Sequence, residues 1–166
     1  MTPPILASIL LQIASDGPEV ACVAAPLSAE VRAEIGREPY GGPIGAASTA
    51  AIESAIDACA ARFAWQQERT VAIATAALGV LVRDRGRSDL AAAGIDPALI
   101  DAWFGRLDEE SRAQSRRQGM SLQPLFAALV ADGVSARLIE SQAGTMVVYV
   151  TTLVGLERLG RGLPLN

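Results

Sequence analysis

The run of residues 46–84 constrains the fold more than any other part of the sequence, because it contains no proline and a single glycine, Gly79. Its apolar side chains recur in alternating steps of three and four, a spacing that places them along one face of an α-helix. We therefore predict one long helix, straight or bent, with two helices kinked near residues 65–69 as the alternative. The apolar stripe consists of Ile52, Ile56, Cys59, Phe63, Ile73, Ala77 and Val80.

A helix of that length has a consequence for association. At 1.5 Å per residue, about 40 residues extend about 60 Å, whereas a compact domain of this size measures only about 30–35 Å across. An unbroken helix must therefore protrude or meet another chain, and its apolar stripe must be covered. We expect a homo-oligomer or a protein partner, with an interface formed by Ile52, Ile56, Phe63 and Ile73. If the helix breaks, its halves can fold back on each other and this expectation weakens.

Glycine, proline and helix-capping residues divide the rest of the chain. The length of 166 residues fits one domain spanning residues 1–166. Glycine and proline crowd residues 36–45, which we predict to be a loop. No internal repeat is apparent. Caps and breakers predict further helices over residues 4–15, 28–35, 88–94, 98–106, 108–117 and 122–131, and a short apolar run over residues 19–25.

The C-terminal third allows more than one prediction. Residues 134–140 and 146–152, joined by a turn at residues 142–144, would form a β-hairpin, since the second segment is rich in residues that favour strands. A single helix over residues 143–159 is the alternative, and a strand running into a short helix is a third. The predicted fold class is mainly α: a multi-helix bundle built around a long central helix, with a small C-terminal β-hairpin as one option.

The residue types in the chain exclude several chemistries. The sequence has no His, so it supports no His-based triad, no imidazole base and no His metal site. All basic residues are Arg and Ala is abundant, a composition typical of a GC-rich bacterial genome. Cys22 and Cys59 lie among Ala and Val, which predicts buried free thiols, with a disulfide or a reactive thiol as alternatives. We predict no cofactor, no metal and a cytoplasmic location.

Charge and hydropathy limit the partners. A net charge of −4 and a pI near 4.8 argue against nucleic-acid binding. The cluster of Arg112, Arg116 and Arg117 precedes a helix and a candidate hairpin, as in a winged-helix DNA reader, but Asp108–Glu110 on the same helix predict a solvated face. The longest uncharged apolar stretches, residues 70–82 and 143–156, are shorter than the ~20 residues of a membrane span.

Two segments are candidate binding sites. The glycine-rich residues 40–48 precede a helix, where amide groups can bind an anion, but their spacing matches no phosphate-binding motif, so a linker with a turn is predicted. Within it, Ser48 is expected to cap a helix rather than to act as a nucleophile. The second candidate interrupts the long apolar helix with polar groups, which indicates an exposed turn or a binding site. It consists of Trp65, Gln66, Glu68 and Arg69.

No residue pattern predicts a catalytic site. The sequence therefore favours a non-catalytic helical interaction protein, such as an adaptor, a regulatory protein or an assembly subunit, that acts through protein–protein contacts. The alternative is a helical module that binds a small apolar ligand, with residues 65–69 as the polar contact. A weaker third hypothesis is an enzyme that uses only arginines and carboxylates.

Overall fold

The computed structural model describes residues 15, 17–37, 44–112 and 121–162, and 81% of it is helical. The predicted helix over residues 4–15, the predicted loop over residues 36–45 and the end of the predicted helix 108–117 fall wholly or largely outside the described residues. A helical turn also covers residues 109–112. The described helices are α1 (Pro18–Ala24), α2 (Ala29–Arg37), α3 (Ala46–Phe63), α4 (Gln67–Ala92), α5 (Pro97–Arg106), α6 (Gln123–Ala131) and α7 (Ala136–Gly160).

The predicted long helix is broken, so the preference for one continuous helix was wrong. Helix α3 ends because Ala64 adopts the left-handed conformation, with φ 52° and ψ 45°. The amide of Trp65 then donates to the carbonyl of Ala60 at 3.0 Å, and Gln66 is extended before α4 begins. Helix α1 packs against both α3 and α4. Residues 46–84 therefore do not form the single 60 Å helix that would require a second chain.

Ala64 offers a direct test of this break. Left-handed backbone costs a non-glycine residue about 1–2 kcal/mol, and the side chain of Ala64 is exposed, so it makes little packing contact. We expect Ala64→Gly to raise the free energy of unfolding by about 0.5–1 kcal/mol, after the larger backbone entropy of unfolded glycine is included. Ala58→Gly, at an exposed position inside α3, should lower it by a similar amount. Urea unfolding of both variants measures the difference, and equal destabilisation would contradict the broken helix.

Helix α4 is longer at its end than predicted. The helix does not end at residues 83–86 as predicted. It continues to Ala92, so the separate short helix predicted over residues 88–94 is the C-terminal part of α4. Gly86 is buried within the helix, where an added Cβ would lie 3.0 Å from Cδ2 of Tyr149. A glycine that usually ends a helix is here the site of close packing against α7.

The C-terminal β-hairpin was also a wrong prediction, because residues 136–160 form the single 25-residue helix α7. The hydroxyl of Ser135 caps it by accepting from the amide of Leu138 at 3.3 Å. Helix α7 runs antiparallel to α4, since Gly79 lies against Leu156 while Gly86 lies against Tyr149. Burial of one face along α4 outweighs the strand preference of residues 146–152, because β-propensity depends strongly on context.

The buried side chains form two clusters that share the helices α4 and α7. In the N-terminal cluster, Ile73 and Leu81 of α4 pack with side chains of α1, α2 and α3 and with Leu156 of α7. In the C-terminal cluster, Leu90 and Tyr149 pack with side chains of α5 and α6. The antiparallel α4–α7 pair therefore connects both halves of the molecule.

The C-terminal cluster contains an internal repeat that the sequence analysis missed. Residues 90–101 (LAAAGIDPALID) and 129–140 (LVADGVSARLIE) each connect two helices. Gly94 and Gly133 have φ of 89° and 90°, and the following amide donates in each case to a carbonyl five residues earlier, at 2.9 Å. Glycine is favoured at both positions because they need left-handed backbone. The two helix–helix connections therefore have the same turn geometry.

Candidate functional site

The predicted binding patch contacts helix α1. The indole N–H of Trp65 donates to Glu19 Oε1 at 2.7 Å, and Arg69 Nε donates to the same oxygen at 2.9 Å. A second nitrogen of Arg69 forms an ion pair with Glu19 Oε2. We call these three residues the Glu19 clamp. Both oxygens of Glu19 are thus occupied by donors of its own chain, and the clamp fastens α1 to the start of α4.

The structure does not bring all four predicted residues together. Gln66 and Glu68 are exposed and make no part of the clamp. The ring of Trp65 stacks on that of Phe63 with centroids 5.6 Å apart. Sequence reasoning missed Glu19, which lies 46 residues before Trp65, because no local pattern links a lone acid to a distant helix break.

The clamp predicts a specific dependence of stability on pH. The hydrogen bond from Arg69 holds the pKa of Glu19 below its ordinary value, supported by the bond from Trp65 and opposed by burial. Since the folded pKa is the lower one, this contribution is present above the unfolded pKa of about 4.3 and is lost as pH falls through the folded pKa. We expect Glu19→Gln to be less stable than wild type at pH 7 and to lose less stability on acidification.

Urea unfolding at pH 7 and at pH 3 checks this expectation. Glu53→Gln is a suitable control, because Glu53 is exposed on α3. If both variants followed the wild-type pH profile, the clamp would contribute no stability through the charge of Glu19.

Cys22 and Cys59 form a disulfide, so the prediction of free thiols was wrong. Their Cα atoms lie 6.0 Å apart, within the usual range for a disulfide. The bond joins α1 to α3, and the sequence could not show it because the two residues are 37 positions apart. The disulfide attaches α1 to α3, and the Glu19 clamp attaches α1 to the start of α4.

The predicted interface residues line the molecule's own core. Ile52 and Ile73 are buried in the N-terminal cluster, and Ile56 and Phe63 are half-buried against it. The stripe on residues 52–80 thus faces the chain's own helices, which fold back at the break. Ile52, Ile56, Phe63 and Ile73 therefore pack inside the molecule rather than forming an external apolar stripe.

An apolar surface that is open to the outside lies between α4 and α7. An open groove with a volume of about 370 Å³ runs along the two antiparallel helices. We call it the α4–α7 groove, and none of the described residues that line it is charged. It is lined from α4 by Thr75, Leu78, Gly79 and Val82 and from α7 by Val147, Thr151, Gly155 and Leu159, among others.

Two of the three threonines that line the groove bond their hydroxyl groups to the backbone of their own helix. Thr75 Oγ1 donates to the carbonyl of Val71 at 2.8 Å, so its methyl group is the part left for the groove. Thr152 Oγ1 donates likewise to the carbonyl of Val148 at 2.8 Å. A Cβ added to Gly155 would meet nothing within 4 Å, so the floor is open at that point. The groove can therefore hold an apolar group but supplies no acid or base.

The apolar surface continues beyond the Thr75 end of the groove. Val71, one helical turn before Thr75, is 61% exposed, and Val147 at the opposite end is 40% exposed. Large apolar side chains that are exposed side by side with an apolar groove are typical of an interaction site. From Val71 to Val82, the α4 edge is about 16 Å long at 1.5 Å per residue.

The other candidate segments have internal partners. The amide of Gly45 donates to Glu34 Oε1 at 2.6 Å and the hydroxyl of Ser48 bonds the second oxygen of Glu34. The carboxylate of Glu34 thus occupies the N-terminal end of α3, which is the position where the sequence allowed a bound anion. Ser48 bonds a side chain rather than capping the backbone, and residues 38–43 of that loop lie outside the described residues.

Arg112, a residue of the predicted basic cluster, caps the C-terminal end of helix α5 with its side chain. Its Nε donates to the carbonyl of Leu107 at 2.8 Å, and another nitrogen donates to the carbonyls seven and eight residues earlier. Arg32 makes the same three contacts with Leu27 and the end of α1. The repeated segments 27–32 (LSAEVR) and 107–112 (LDEESR) thus share one capping role. Arg116 and Arg117 lie outside the described residues.

Tyr149 connects three helices through a partly buried polar contact. Its hydroxyl donates to Asp101 Oδ1 at 2.7 Å, and Arg87 pairs with Asp101 Oδ2 at 2.6 Å. Burial, followed by the bond to Asp101, raises the pKa of Tyr149 well above its ordinary value. The hydroxyl therefore stays protonated and acts as a structural donor.

Among the described residues, no group of His, Cys, Asp or Glu side chains is arranged to hold a metal ion, and no described helix is long and apolar enough to cross a membrane. Comparisons with models of protein families, with curated protein sequences and with solved structures found no match for this chain.

Proposed function

We propose that the protein is a non-catalytic helical interaction protein and that the α4–α7 groove binds an uncharged, apolar helix of a protein partner. The observation that carries this proposal is an open groove in which every lining residue that the structure describes is uncharged. Its lining contains neither an acid nor a base, so it is suited to association rather than to catalysis. Two antiparallel helices with small residues at their contact form a surface into which the ridge of a third helix packs.

The shape of the groove favours a helix over a small molecule. Sites for small ligands usually bury most of the ligand surface, whereas this groove is open along its length and continues to Val71 and Val147. A stretch of about 16 Å accommodates three helical turns. The volume of about 370 Å³ is also within the range of small-ligand sites, which keeps a small apolar ligand as the second candidate.

The partner is a different protein or a second copy of this chain. The original reason for a homo-oligomer, one helix of about 60 Å, is removed by the break at Ala64. The groove itself supplies the remaining reason, because an uncovered apolar surface favours association. Sedimentation equilibrium at about 100 µM, above the weak-affinity range, distinguishes these two partners. A monomer at this concentration would exclude the second copy and leave a different protein as the partner.

The cellular location needs a similar revision. The cytoplasmic location was predicted from free thiols, and the Cys22–Cys59 disulfide removes that basis. Stable disulfides are typical of oxidising compartments. We therefore propose that the partner is met in an oxidising compartment.

A charge placed in the groove tests the proposed function. Thr151 is exposed in the groove, so Thr151→Glu should leave the fold intact while requiring an apolar partner to desolvate a carboxylate. Ser141→Glu, also exposed on α7 but before the groove begins, is the matched control. Helical peptides with an uncharged, apolar binding face, selected from a displayed library for binding to the wild-type chain, should bind Thr151→Glu at least about tenfold more weakly, or by 1.4 kcal/mol, and should bind Ser141→Glu as they bind the wild type.

The same experiment contains the result that overturns the proposal. Selected peptides that bind Thr151→Glu as tightly as they bind the control would exclude the groove. Melting temperatures measured with a set of small apolar compounds test the second candidate. A shift that Thr151→Glu abolishes, in the absence of any peptide binding, would favour the small ligand.

A further inference from the structure

We infer that the partner of the α4–α7 groove is a second copy of this chain, with Val147 of each copy filling the open space beside Gly155 of the other. This inference names the partner of the groove and therefore rests on the proposed function. Helix α7 is the helix that each copy contributes, and the two-fold axis passes beside Thr151.

Helix α7 has the character that the groove requires of a partner helix. Its residues 141–156 contain no charged side chain, and no other described helix has an uncharged run of that length. In α3, by contrast, Glu53 and Asp57 are exposed in the middle of the helix. A second copy of α7 would bring no charge into the groove, so its docking would not require an unpaired charge to lose its hydration.

One row of residues on α7 carries both a protruding side chain and a space that can receive it. Val147, Thr151 and Gly155 follow at steps of four, and all three line the groove. Val147 is 40% exposed, whereas a Cβ added to Gly155 would meet nothing within 4 Å. Thr151 lies at the midpoint of the row and is exposed. The row is therefore complementary to a reversed copy of itself.

A two-fold axis beside Thr151 uses this complementarity twice. The axis reverses the direction of α7, so that Val147 of each copy comes opposite Gly155 of the other, and Thr151 comes opposite its own copy. Such an interface uses the same patch on both chains, as in most dimers. Rows of residues four apart become parallel when two helices cross at about 50°. At that angle both ends of the row, about 12 Å apart, stay in contact.

The size of the patch determines how strong the dimer is. Residues 147–159 of α7 extend about 18 Å, and two neighbouring helices are together about 20 Å wide. The patch therefore has an outline of about 360 Å², which is below the roughly 800 Å² that each partner buries in a standard interface. We expect a reversible dimer with a dissociation constant of about 10–100 µM.

Single cysteines test the position of the axis. The two native cysteines are disulfide-bonded, so each variant has one free thiol. With copper phenanthroline as the oxidant, Thr151→Cys should form at least about ten times more disulfide-linked dimer than Ser141→Cys, because position 141 lies about 15 Å from the axis and about 30 Å from its own copy. Ser141 is exposed on the same helix.

A mixture of two single-cysteine variants tests the direction of the helices. Val147→Cys and Gly155→Cys should give mainly the mixed dimer. In the two-fold arrangement each of these positions lies about 12 Å from its own copy, whereas a disulfide needs Cα atoms within about 7 Å. Equal amounts of the mixed dimer and the two unmixed dimers would contradict the arrangement.

Sedimentation equilibrium at about 100 µM tests the contact between Val147 and Gly155 without added cysteines. Gly155→Leu should fill the space that receives Val147 and weaken the dimer at least about tenfold, and the monomer should tolerate it because the new Cβ enters open space. Gly105→Leu on α5 is the matched control, since its Cβ would also meet nothing within 4 Å and Gly105 does not line the groove. Val147→Ala weakens the same contact without adding atoms.

The outcomes separate this inference from the proposed function. A monomeric wild type at about 100 µM, or a Thr151→Cys variant that cross-links no better than Ser141→Cys, would overturn the inference. Unchanged dimerisation of both Gly155→Leu and Val147→Ala would also overturn it. If the wild type is monomeric but the selected peptides bind its groove, the function stands with a different protein as the partner. A monomer that binds no peptide would refute both.

Discussion

Removal of the Cys22–Cys59 disulfide is expected to lower the free energy of unfolding by about 4 kcal/mol. The two cysteines are 37 residues apart, and chain-entropy arithmetic for a loop of that size gives about 4 kcal/mol at 25 °C. The disulfide has a local effect as well, because α1 has only seven residues. A helix so short does not persist by itself and depends on its attachments to α3 and α4.

Urea unfolding with and without a reductant measures this effect. The variant Cys22→Ala/Cys59→Ala should match the reduced wild type and should not respond to the reductant. Because Cys59 is only 3% exposed, thiol counting in denaturant is needed to show that the disulfide was reduced. A fully reduced wild type with unchanged stability would contradict the prediction.

Ile73→Glu is expected to cost at least about 4 kcal/mol and to leave little folded protein. The side chain of Ile73 is 0% exposed in the N-terminal cluster. A carboxylate at this position would lose its hydration and gain no partner, in addition to the lost burial of the isoleucine. Val71→Glu, two residues earlier on the same helix and 61% exposed in the wild type, should change stability by only about 0.5 kcal/mol.

The comparison distinguishes a core position from an interface between chains. If Ile73 lay in a subunit interface, Ile73→Glu would give a folded monomer with intact helices. Circular dichroism, urea unfolding and sedimentation velocity of both variants decide between these results. A folded, monomeric Ile73→Glu protein derived from a larger wild-type assembly would contradict the position of Ile73 in the structure.

Much of the helical content could be predicted from local sequence. The pair Asp96–Pro97 predicts the start of α5, and the side chain of Asp96 indeed accepts from the amide of Ala98 at 2.9 Å. Helices α2, α5 and α6 lie within a few residues of their predicted ranges. These elements were predictable because their caps and breakers act on the residues next to them.

The candidate site was predictable only in part. The polar residues 65–69 were identified as an interruption, and the break indeed falls there. Their partner, Glu19, and the groove on the other helices were missed. Both depend on residues from distant segments, and the groove consists of ordinary Val, Thr, Leu and Gly side chains that form no motif.

The sequence by itself determined the helix-rich class and the stripes of apolar residues, because capping and periodicity operate over a few residues. Tertiary structure decided where a stripe ends and what it faces. Ala64 is left-handed although alanine favours a helix, and residues 146–152 are helical although they favour a strand. In both places, burial against distant helices outweighs local preferences of about 1 kcal/mol. The disulfide and the α4–α7 groove likewise arise only when segments far apart in sequence are packed together.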